Sequence, residues 1–331
     1  MATPHVSVVV LNYNGAHLLQ DCLESLLDQD FADLEILVVD NASIDNSKEV
    51  AARYASVRWV QLPYNGGLGP GYNAGAKAAN GDRLFFVNND TRFEPDCVRR
   101  LVESFNAESI LAVDPLQMDW EGKRVIHGAQ RFRFGWRHLK FGVPFLDPYQ
   151  DIEETRETEV PWGCAGALMF DRRKFEALGG FDATFFAYYE DLDICWRGWL
   201  RGWRTVFAPA SRLFHKVAET EDNKLRRNNP FLANNNACQV NWRRHLSQCK
   251  NAQRFVLKTM PWTIVAASLF VNLAKAVGGI LLGHPRSGLL RIKATALTIR
   301  ELPEILRLRR TILRQSVTTS FALLTQWGKC Q

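Results

Sequence analysis

The stretch VSVVVLNYNG, residues 6–15, decides the fold class of this chain. It opens with a run of small and apolar residues and closes on Asn and Gly, which are typical of turns. A short apolar run bounded in this way indicates a strand that is buried on both faces. Further along, Leu18, Cys22 and Leu26 recur at helical spacing. The sequence therefore predicts a buried strand that leads into a helix.

The same alternation of strand and helix recurs further along the chain. The additional predicted strands are LEILVVD at 34–40, VRWVQL at 57–62 and RLFFVNND at 83–90. Short apolar strands separated by helices indicate βαβ units and a parallel sheet. We therefore predict an α/β fold with a Rossmann-like, mostly parallel sheet flanked by helices. Such sheets bind their ligands at the carboxyl ends of the strands.

Polar residues collect at those carboxyl ends. They are Asn12 at the end of the first strand, Asp40 and Asn41 at the end of the second, and Asn88, Asn89 and Asp90 at the end of the fourth. An Asp directly after a buried strand can accept a hydrogen bond from a ring imide, which selects uracil or thymine. An Asp after another strand can hold a divalent ion that bridges two phosphates. One such residue is equally well explained as a turn former, but three groups on one edge predict a nucleotide diphosphate site.

The loop PYNGGLGPGYNAG, residues 63–75, lies between the third and fourth strands. Residues 69–74 satisfy the relaxed dinucleotide pattern G-x-G-x-x-A, but that pattern belongs immediately after a strand, and several residues intervene here. The sequence thus argues against a nicotinamide or flavin site. We expect the glycines to let the backbone approach a nucleotide sugar closely, with Gly67 and Asn73 among the nucleotide-binding residues.

The segment FFAYYEDLDICWRGWLRGWR, residues 185–204, carries the strongest acidic signal. Glu190, Asp191 and Asp193 stand beside a cluster of aromatic residues at the start of a predicted helix. Carboxylates gain from the positive end of a helix, and one that lies among aromatic rings can have its pKa raised towards the range useful for a general base. The alternative is an N-terminal cluster that only satisfies the first helical turn.

Charge divides the chain of 331 residues into two parts. From Arg243 to the end there are fifteen Lys and Arg residues against two acidic residues, a balance of +13, whereas the preceding part carries −7. A basic segment of this kind indicates an anionic partner. We therefore expect a main domain at 1–242 and a basic helical segment at 243–331.

The apolar content of the basic segment favours a membrane surface over nucleic acid. Residues 259–274 are uncharged, which is short of the ~20 residues needed to span a bilayer, so an interfacial or packed helix is expected. Further on, the stripe of Ile305, Leu308 and Ile312 predicts an amphipathic helix. The basic residues that lie largely off this stripe are Arg307, Arg310 and Arg314. The alternative is that these helices cap the main domain, and no nucleic-acid-binding module accompanies the charge.

Six segments, in order, resemble the family 2 glycosyltransferases of the GT-A fold. They are VSVVVLNYNG, VVDNASIDNS, NGGLGPGYNAG, FVNND, GALMF and FFAYYEDLDICWR. The resemblance covers Val6 to about Lys216 and is nearest to the rhamnosyltransferase-like enzymes of bacterial surface polysaccharide synthesis. It implies an inverting transferase that moves a sugar from a dTDP- or UDP-sugar, such as dTDP-rhamnose, to a hydroxyl of a glycan or lipid-linked acceptor.

The resemblance also implies roles for individual residues of the nucleotide and metal sites. Asp40 binds the base, and Asn12 and Asn41 lie near base and ribose. Asn88, Asn89 and Asp90 stand where the family has Asp-x-Asp, and only the last of the three is acidic here. Asp90 is therefore the expected direct ligand of a divalent metal, Mn²⁺ or Mg²⁺. His215, in RLFHK, matches the family's distal histidine and is expected to complete the metal site.

The remaining roles concern the acceptor. By resemblance, Asp191 removes the proton from the acceptor hydroxyl, while Glu190 or Asp193 orients and polarises it. Trp162, in VPWGCAGALMF, is expected to stack on a sugar ring of donor or acceptor, and its alternative is an ordinary core residue.

Two other functions share parts of this pattern. A sugar-phosphate nucleotidyltransferase should carry a basic, Gly-rich phosphate loop after the first strand, and NYNGAHLLQD has no Lys or Arg. An inactive nucleotide-sugar-binding subunit would lack Asp90, Asp191 or His215. The seven scattered cysteines favour a reducing compartment, and the N-terminal residues show no signal-peptide pattern. We expect a cytoplasmic protein held peripherally on the inner face of a bacterial cell membrane.

Overall fold

The computed structural model describes residues 6–134, 146–216, 242–283 and 285–328. The chain divides into two compact units. The first consists of Met1–Arg131, Gln150–Phe186 and Glu190–Val217, and the second of Phe132–Tyr149, Ala187–Tyr189 and Ala218–Gln331.

Four parallel strands form one half of the large sheet in the first unit, in the order β3-β2-β1-β4. They are β1 (Val6–Asn12), β2 (Leu34–Asp40), β3 (Val57–Gln61) and β4 (Arg83–Asn88), and the helices among them are α1 (Ala16–Leu27), α2 (Ser47–Ala51) and α3 (Leu68–Ala78). The α/β prediction is confirmed, and each strand begins at the predicted residue.

The sheet continues beyond β4 with mixed direction. The added elements are β5 (Thr91–Phe93), α4 (Cys97–Glu103), β6 (Ile110–Asp119), β7 (Val125–His127), β10 (Thr158–Val160), β11 (Ala167–Asp171), α5 (Arg172–Ala177), α6 (Glu190–Leu200) and β12 (Arg204–His215). Strand β11 runs antiparallel between β4 and β6, and β12 runs parallel to β6. Strands β8 (Ala129–Phe134) and β9 (Leu146–Asp151) pair separately.

Burial on both faces explains the unbroken apolar run of β1. Val8 and Val10 belong to one core cluster and Val9 to another, and all three side chains are fully buried. Alternate side chains of a strand point to opposite faces, so a sheet covered by helices on both sides needs apolar residues at every position. This packing fixes the register of the parallel strands, and the register determines where the polar residues of the predicted nucleotide site lie.

Strand register brings the predicted polar residues to one edge. Asn12 lies opposite Asp40 across β1 and β2, and Leu11 lies opposite Asn88 across β1 and β4. Helix α2 begins only at Ser47, so Ser43 lies before this helix and does not cap it. Ser43 instead bonds to Asp40, as described below.

Helices make up the described C-terminal part of the second unit. They are α7 (Trp242–Thr259), α8 (Trp262–Leu281), α9 (Pro285–Arg300), α10 (Leu302–Arg314) and α11 (Ser320–Gly328). The predicted domain boundary at residue 242 adjoins residues 217–241, which lie outside the described residues, and it stays a prediction. Helix α8 continues through Lys275 to 20 residues, so by length and composition alone it could cross a membrane. The expectation that this segment is too short to span is therefore not supported by the helix length.

Candidate active site

Asp40 is a buried carboxylate whose two oxygens are fully engaged by its own chain. Its Oδ1 accepts from Asn12 Nδ2 at 2.9 Å and from the Ser43 hydroxyl, and its Oδ2 accepts from the Ser43 amide and from Gln61 Nε2, both at 2.8 Å. A carboxylate can accept about four hydrogen bonds, so these four donors fill its acceptor capacity. Asp40 is thus a rigid acceptor, and exposed Gln61 is the donor that an incoming imide N–H would most easily replace.

Asn12 connects this acceptor to the end of β4. While its amide nitrogen donates to Asp40, its Oδ1 accepts a 2.6 Å hydrogen bond from Asn89 Nδ2. The contact needs a glycine beside it, because a Cβ at Gly15 would lie 1.8 Å from Asn89 Nδ2. Residues predicted to bind base and phosphate are therefore joined by direct hydrogen bonds.

Asn41 and Gly67 also meet. Asn41 Nδ2 donates to the Gly67 carbonyl at 3.1 Å, and Asn41 Oδ1 is buried without a hydrogen-bond partner in the described part of the chain. Gly67 has φ +89° at the start of α3, where a Cβ would lie 2.0 Å from the Phe186 carbonyl oxygen. Only glycine allows this approach. The unused Asn41 oxygen is an acceptor at the predicted ribose position.

Asn73 and Asn88 have partners within the protein. Both ends of the Asn73 amide bond to the Phe181 backbone, at 2.8 and 2.9 Å, which ties α3 to the loop after α5. Asn88 Oδ1 accepts from the buried Tyr72 hydroxyl at 2.9 Å. These contacts give both side chains structural roles within the protein. Contact of either side chain with a nucleotide stays a prediction.

Asp90 and His215 are brought together at the strand edge. Asp90 Oδ1 lies 3.0 Å from His215 Nε2, and His215 Nδ1 lies 2.9 Å from Gln117 Oε1. Because a carbonyl oxygen can only accept, Nδ1 carries the proton toward Gln117, and a neutral imidazole then points the lone pair of Nε2 at a carboxylate. Two such acceptors are stable at this distance only with a proton or a cation shared between them.

The donor chemistry of this pair fits a shared divalent cation. Within the residues that the structure describes, no group of three or more His, Cys, Asp or Glu side chains could hold a metal ion. Mg²⁺-type sites in nucleotide enzymes often use only one or two protein ligands and take the rest from substrate phosphates and water. Asp90 and His215 match that pattern, and Gln117 fixes the imidazole tautomer from behind.

Glu190 and Asp191 begin α6 as two adjacent acids. Asp191 is half-buried; its Oδ1 accepts from the Leu192 amide at 2.7 Å, and its Oδ2 accepts a long bond from the Ala165 amide at 3.4 Å. Burial raises the pKa of the Asp191 carboxyl. Glu190 is buried with Oε2 unpaired in the described chain, and burial together with the Asp191 charge raises the pKa of Glu190. Both acids therefore have raised pKa values, a feature that occurs often, though not exclusively, at functional sites.

Asp193 and Trp162 occupy less open positions. Asp193 is fully buried and pairs with Arg197 at 2.9 Å, and Arg197 also donates to the carbonyls of Leu178 and Gly180. Trp162 is half-buried and packs against the core cluster on one face of the sheet. Both arrangements suit structural roles, and the predicted sugar contacts of these two residues stay untested.

Sequence reasoning missed several polar residues near these groups. They are Ser43 and Gln61 on Asp40, Tyr72 on Asn88, Gln117 on His215, and the buried pair of Asp114 and His127. Ser43 and Tyr72 stand inside the segments VVDNASIDNS and NGGLGPGYNAG, and Gln61 is a polar residue at the end of β3 on the predicted ligand edge, so these three offered a signal. The partners of all these residues follow from strand pairing and packing that the sequence pattern does not reveal.

Known proteins similar to this chain include bacterial glycosyltransferases. The N-acetylglucosaminyl-diphospho-decaprenol L-rhamnosyltransferase of Mycobacterium tuberculosis is 27% identical over 239 residues, covering 66% of this chain and 78% of the relative. The putative glycosyltransferase EpsH of Bacillus subtilis is 34% identical over 116 residues, 34% of each chain. The match thus spans about a third of the length of the first curated relatives.

Solved structures share the fold at low sequence identity. S. aureus TarS 1-349 in complex with UDP-GlcNAc matches with a TM-score of 0.57 and 15% identity, over 93% of this chain and 88% of that one. The mannosyltransferase PcManGT of Pyrobaculum calidifontis, in complex with GDP-Man and Mn²⁺, matches with a TM-score of 0.54 and 16% identity, over 99% and 89%. The predicted GT-A fold is confirmed.

A family model assigns the chain. The model described as glycosyl transferase family 2 matches residues 7–179, which contain every nucleotide-site residue discussed above together with Asp90 and Trp162. The predicted resemblance is confirmed, and this chain belongs to glycosyl transferase family 2.

Proposed function

We propose that the protein is an inverting glycosyltransferase that moves a sugar from a UDP- or dTDP-sugar to a hydroxyl of a glycan or lipid-linked acceptor. The observation that carries the proposal is the half-buried Asp191 beside Glu190 at the start of α6, in the same unit as Asp40 and the Asp90–His215 pair. The similarity to the N-acetylglucosaminyl-diphospho-decaprenol L-rhamnosyltransferase of Mycobacterium tuberculosis supports a rhamnosyl donor and a lipid-diphosphate-linked acceptor.

In this mechanism Asp191 is the general base. Its ionised carboxylate takes the proton of the acceptor hydroxyl as that oxygen attacks the anomeric carbon, and the nucleoside diphosphate leaves from the opposite face. Because burial raises the pKa of Asp191, its proton affinity is better matched to this task than that of an exposed carboxylate. A base of this type contributes about 10²–10⁴-fold to the rate.

Glu190 supports the base. Burial and the nearby Asp191 charge raise the pKa of Glu190, which favours its protonated form when Asp191 is ionised. A neutral Glu190 avoids a second negative charge at the site and can orient the acceptor hydroxyl. The two acids thus have different protonation states and different tasks.

Asp90 and His215 would hold Mn²⁺ or Mg²⁺ together with the donor's phosphates. A bound ion of this kind offsets the negative charge that grows on the departing diphosphate. The structure of PcManGT with GDP-Man and Mn²⁺ supports a divalent metal for this fold. Asp40 and Asn41 would bind the nucleobase and ribose, and Asn12 and Asn89 connect that region to Asp90.

We further propose that helix α8 attaches the enzyme to a membrane surface, because its large apolar side chains are exposed whereas two of its four buried residues are polar. Its exposed side, here named the outer stripe, consists of Trp262, Leu269, Phe270, Leu273, Val277, Ile280 and Leu281. Its buried residues are Val265, Ser268, Asn272 and Ala276. The Asn272 amide bonds to Thr295 at 3.0 Å and to Arg291 at 3.1 Å, so the inner side is held by polar contacts. A large exposed apolar patch of this kind marks an interaction surface.

The charges of the second unit fit an anionic membrane. The only acidic residues after Trp242 are Glu301 and Glu304, and both form ion pairs with Arg254. The exposed basic residues are Arg286, Lys293, Arg300, Arg307, Arg310 and Arg314. Each basic residue near an anionic surface contributes about 1 kcal/mol, so a few contacts are sufficient for binding. The proposed location is therefore cytoplasmic and peripheral, beside a lipid-linked acceptor.

The experiment that tests the enzymatic proposal separates binding from chemistry. A panel of UDP-, dTDP- and GDP-sugars is screened by thermal shift with and without Mn²⁺, since a bound ligand stabilises as RT ln(1 + [L]/Kd). Donors that stabilise the protein are then assayed for nucleotide release with and without acceptor lipid. Metal-dependent stabilisation followed by release supports the proposal. Stabilisation without release from any donor would instead identify an inactive nucleotide-sugar-binding subunit.

A further inference from the structure

A buried histidine–carboxylate pair lies beside the proposed base and has no part in the mechanism above. His127 ends β7 and Asp114 lies on β6; both are buried, with His127 Nε2 2.8 Å from Asp114 Oδ2. On its other side, His127 Nδ1 lies 3.1 Å from Gln130 Nε2. The Gln130 amide can only donate there, so Nδ1 accepts and Nε2–H donates to Asp114. Gln130 thus sets the tautomer that serves Asp114.

A short loop joins this pair to Asp191. The Cys164 amide donates to Asp114 Oδ1 at 3.1 Å, and the next amide, that of Ala165, donates to Asp191 Oδ2 at 3.4 Å. The loop lies directly against Asp114, because a Cβ at Gly163 would be 2.9 Å from the Asp114 side chain. Two consecutive backbone N–H groups therefore hold two different acids, the buried Asp114 and the half-buried Asp191, and the position of one acid constrains the position of the other.

Asp114 also affects Asp191 electrostatically. Burial raises the pKa of Asp114, which makes its N–H partners important for keeping the carboxylate ionised. The titratable groups that interact with Asp191 are Glu190 and Cys195 on its own helix α6, Asp114 on β6, His127 on β7 and Cys164 in the loop. A negative charge on Asp114 raises the pKa of Asp191.

We propose that His127 is a positioning residue for the general base: it fixes Asp114, and Asp114 in turn fixes the loop amides that hold Asp191. The inference rests on the proposed role of Asp191. It adds a buried relay of Gln130, His127 and Asp114 that acts on the chemical step without touching either substrate. Losing it should lower turnover while leaving donor binding unchanged.

The test compares His127→Phe, His127→Gln and Asp114→Asn in the full-length protein, with His17→Phe as the exposed-histidine control. For His127→Phe we expect kcat to fall at least tenfold with donor KM within twofold. His127→Gln keeps an N–H for Asp114 and should recover most of the activity. In Asp114→Asn the acid limb of the kcat–pH profile should move to lower pH, because a neighbouring negative charge is removed.

Several outcomes would overturn the inference. Equal losses in kcat and in donor affinity, or an unshifted acid limb in Asp114→Asn, would mean that His127 and Asp114 only stabilise the core. Failure of His127→Gln to recover activity in a normally folded protein would have the same meaning. Asp191→Asn is measured in parallel to separate the two proposals. If that variant turns over normally, the proposed base is wrong, whereas an inactive Asp191→Asn beside an unaffected His127→Phe refutes the relay alone.

Discussion

Asp90 Oδ1 lies 3.0 Å from His215 Nε2, although the two residues are 125 positions apart in the chain. Strands β5 and β12 produce the meeting, because His215 pairs with Thr91 across the sheet. A carboxylate and an imidazole nitrogen that face each other at this distance share either a proton or a cation. Their position follows from the strand register.

Removing either partner of this pair should weaken metal-dependent nucleotide binding. For Asp90→Ala and His215→Ala we expect nucleoside-diphosphate affinity in Mn²⁺ to fall by about tenfold or more, since the ion loses charge or a fixed ligand. Calorimetry with Mn²⁺ and with EDTA measures the metal-dependent part, and His17→Ala is the control. An unchanged Mn²⁺-dependent affinity in His215→Ala would make that histidine structural.

Asp191→Asn should abolish transfer and leave donor binding nearly unchanged. A base acts in the transition state, so kcat is expected to fall by about 10²–10⁴-fold. Donor Kd and turnover are measured on the same preparation, with Glu190→Gln alongside. If the Asp191→Asn variant turns over at nearly the wild-type rate, Asp191 is not the base.

The buried Glu190 should make stability depend on pH. Its folded pKa is raised above 4.5, the ordinary value, so the native state keeps a proton that the unfolded state loses as pH rises. The contribution of Glu190 to the free energy of unfolding is therefore fully present below about pH 4.5, and it is lost as the pH rises through the raised folded pKa. We expect the Tm of Glu190→Gln, relative to wild type, to improve steadily from about pH 5 to about pH 8. Exposed Glu49→Gln should show no such trend.

The outer stripe should determine membrane binding. We expect Phe270→Asp combined with Leu281→Asp to abolish flotation with phosphatidylglycerol vesicles, because both side chains are highly exposed on α8. Ile44→Asp alters an equally exposed apolar residue of the first unit and should float normally. Alkaline carbonate is expected to remove the protein from the vesicles if its attachment is peripheral. Protein that resists this treatment would indicate a spanning helix.

The charge contribution is tested separately. Replacing Arg307, Arg310 and Arg314 with Gln should weaken flotation on anionic vesicles, most clearly at low salt. Equal flotation of the wild type on neutral and anionic vesicles would remove the electrostatic part of the proposal. No flotation under any condition would leave these helices as packing elements.

The parts of the fold governed by local pattern could be predicted from sequence. Strand β2 has the predicted bounds, and the polar residues at the ends of β1, β2 and β4 do meet, because parallel strands place their carboxyl ends together. The partnership of Asp90 with His215 came from resemblance alone. No local pattern reports that β12 returns beside β5.

Other features depend on packing that sequence periodicity cannot report. An apolar helix such as α8 gives no sign of which side faces inward, and here the inner side carries Asn272. Arg309 looks like one more surface charge, yet it is buried and donates to the carbonyls of Leu257 and Met260. His127 has meaning only through the pairing of β7 with β6. Each of these residues is defined by a partner that is remote in sequence or on another element.

The hydrogen bonds of Asn12 bear on attempts to engineer donor preference. Asn12 holds Asp40 with its nitrogen and Asn89 with its oxygen. On the roles proposed for Asp40 and Asp90, we expect a change made at position 40 to accept another nucleobase to disturb the side chain next to Asp90 as well, which would couple base selectivity to leaving-group handling. We expect a library that varies Asp40 alone to yield mostly slow catalysts, and productive variants to need compensating changes at positions 12 and 89.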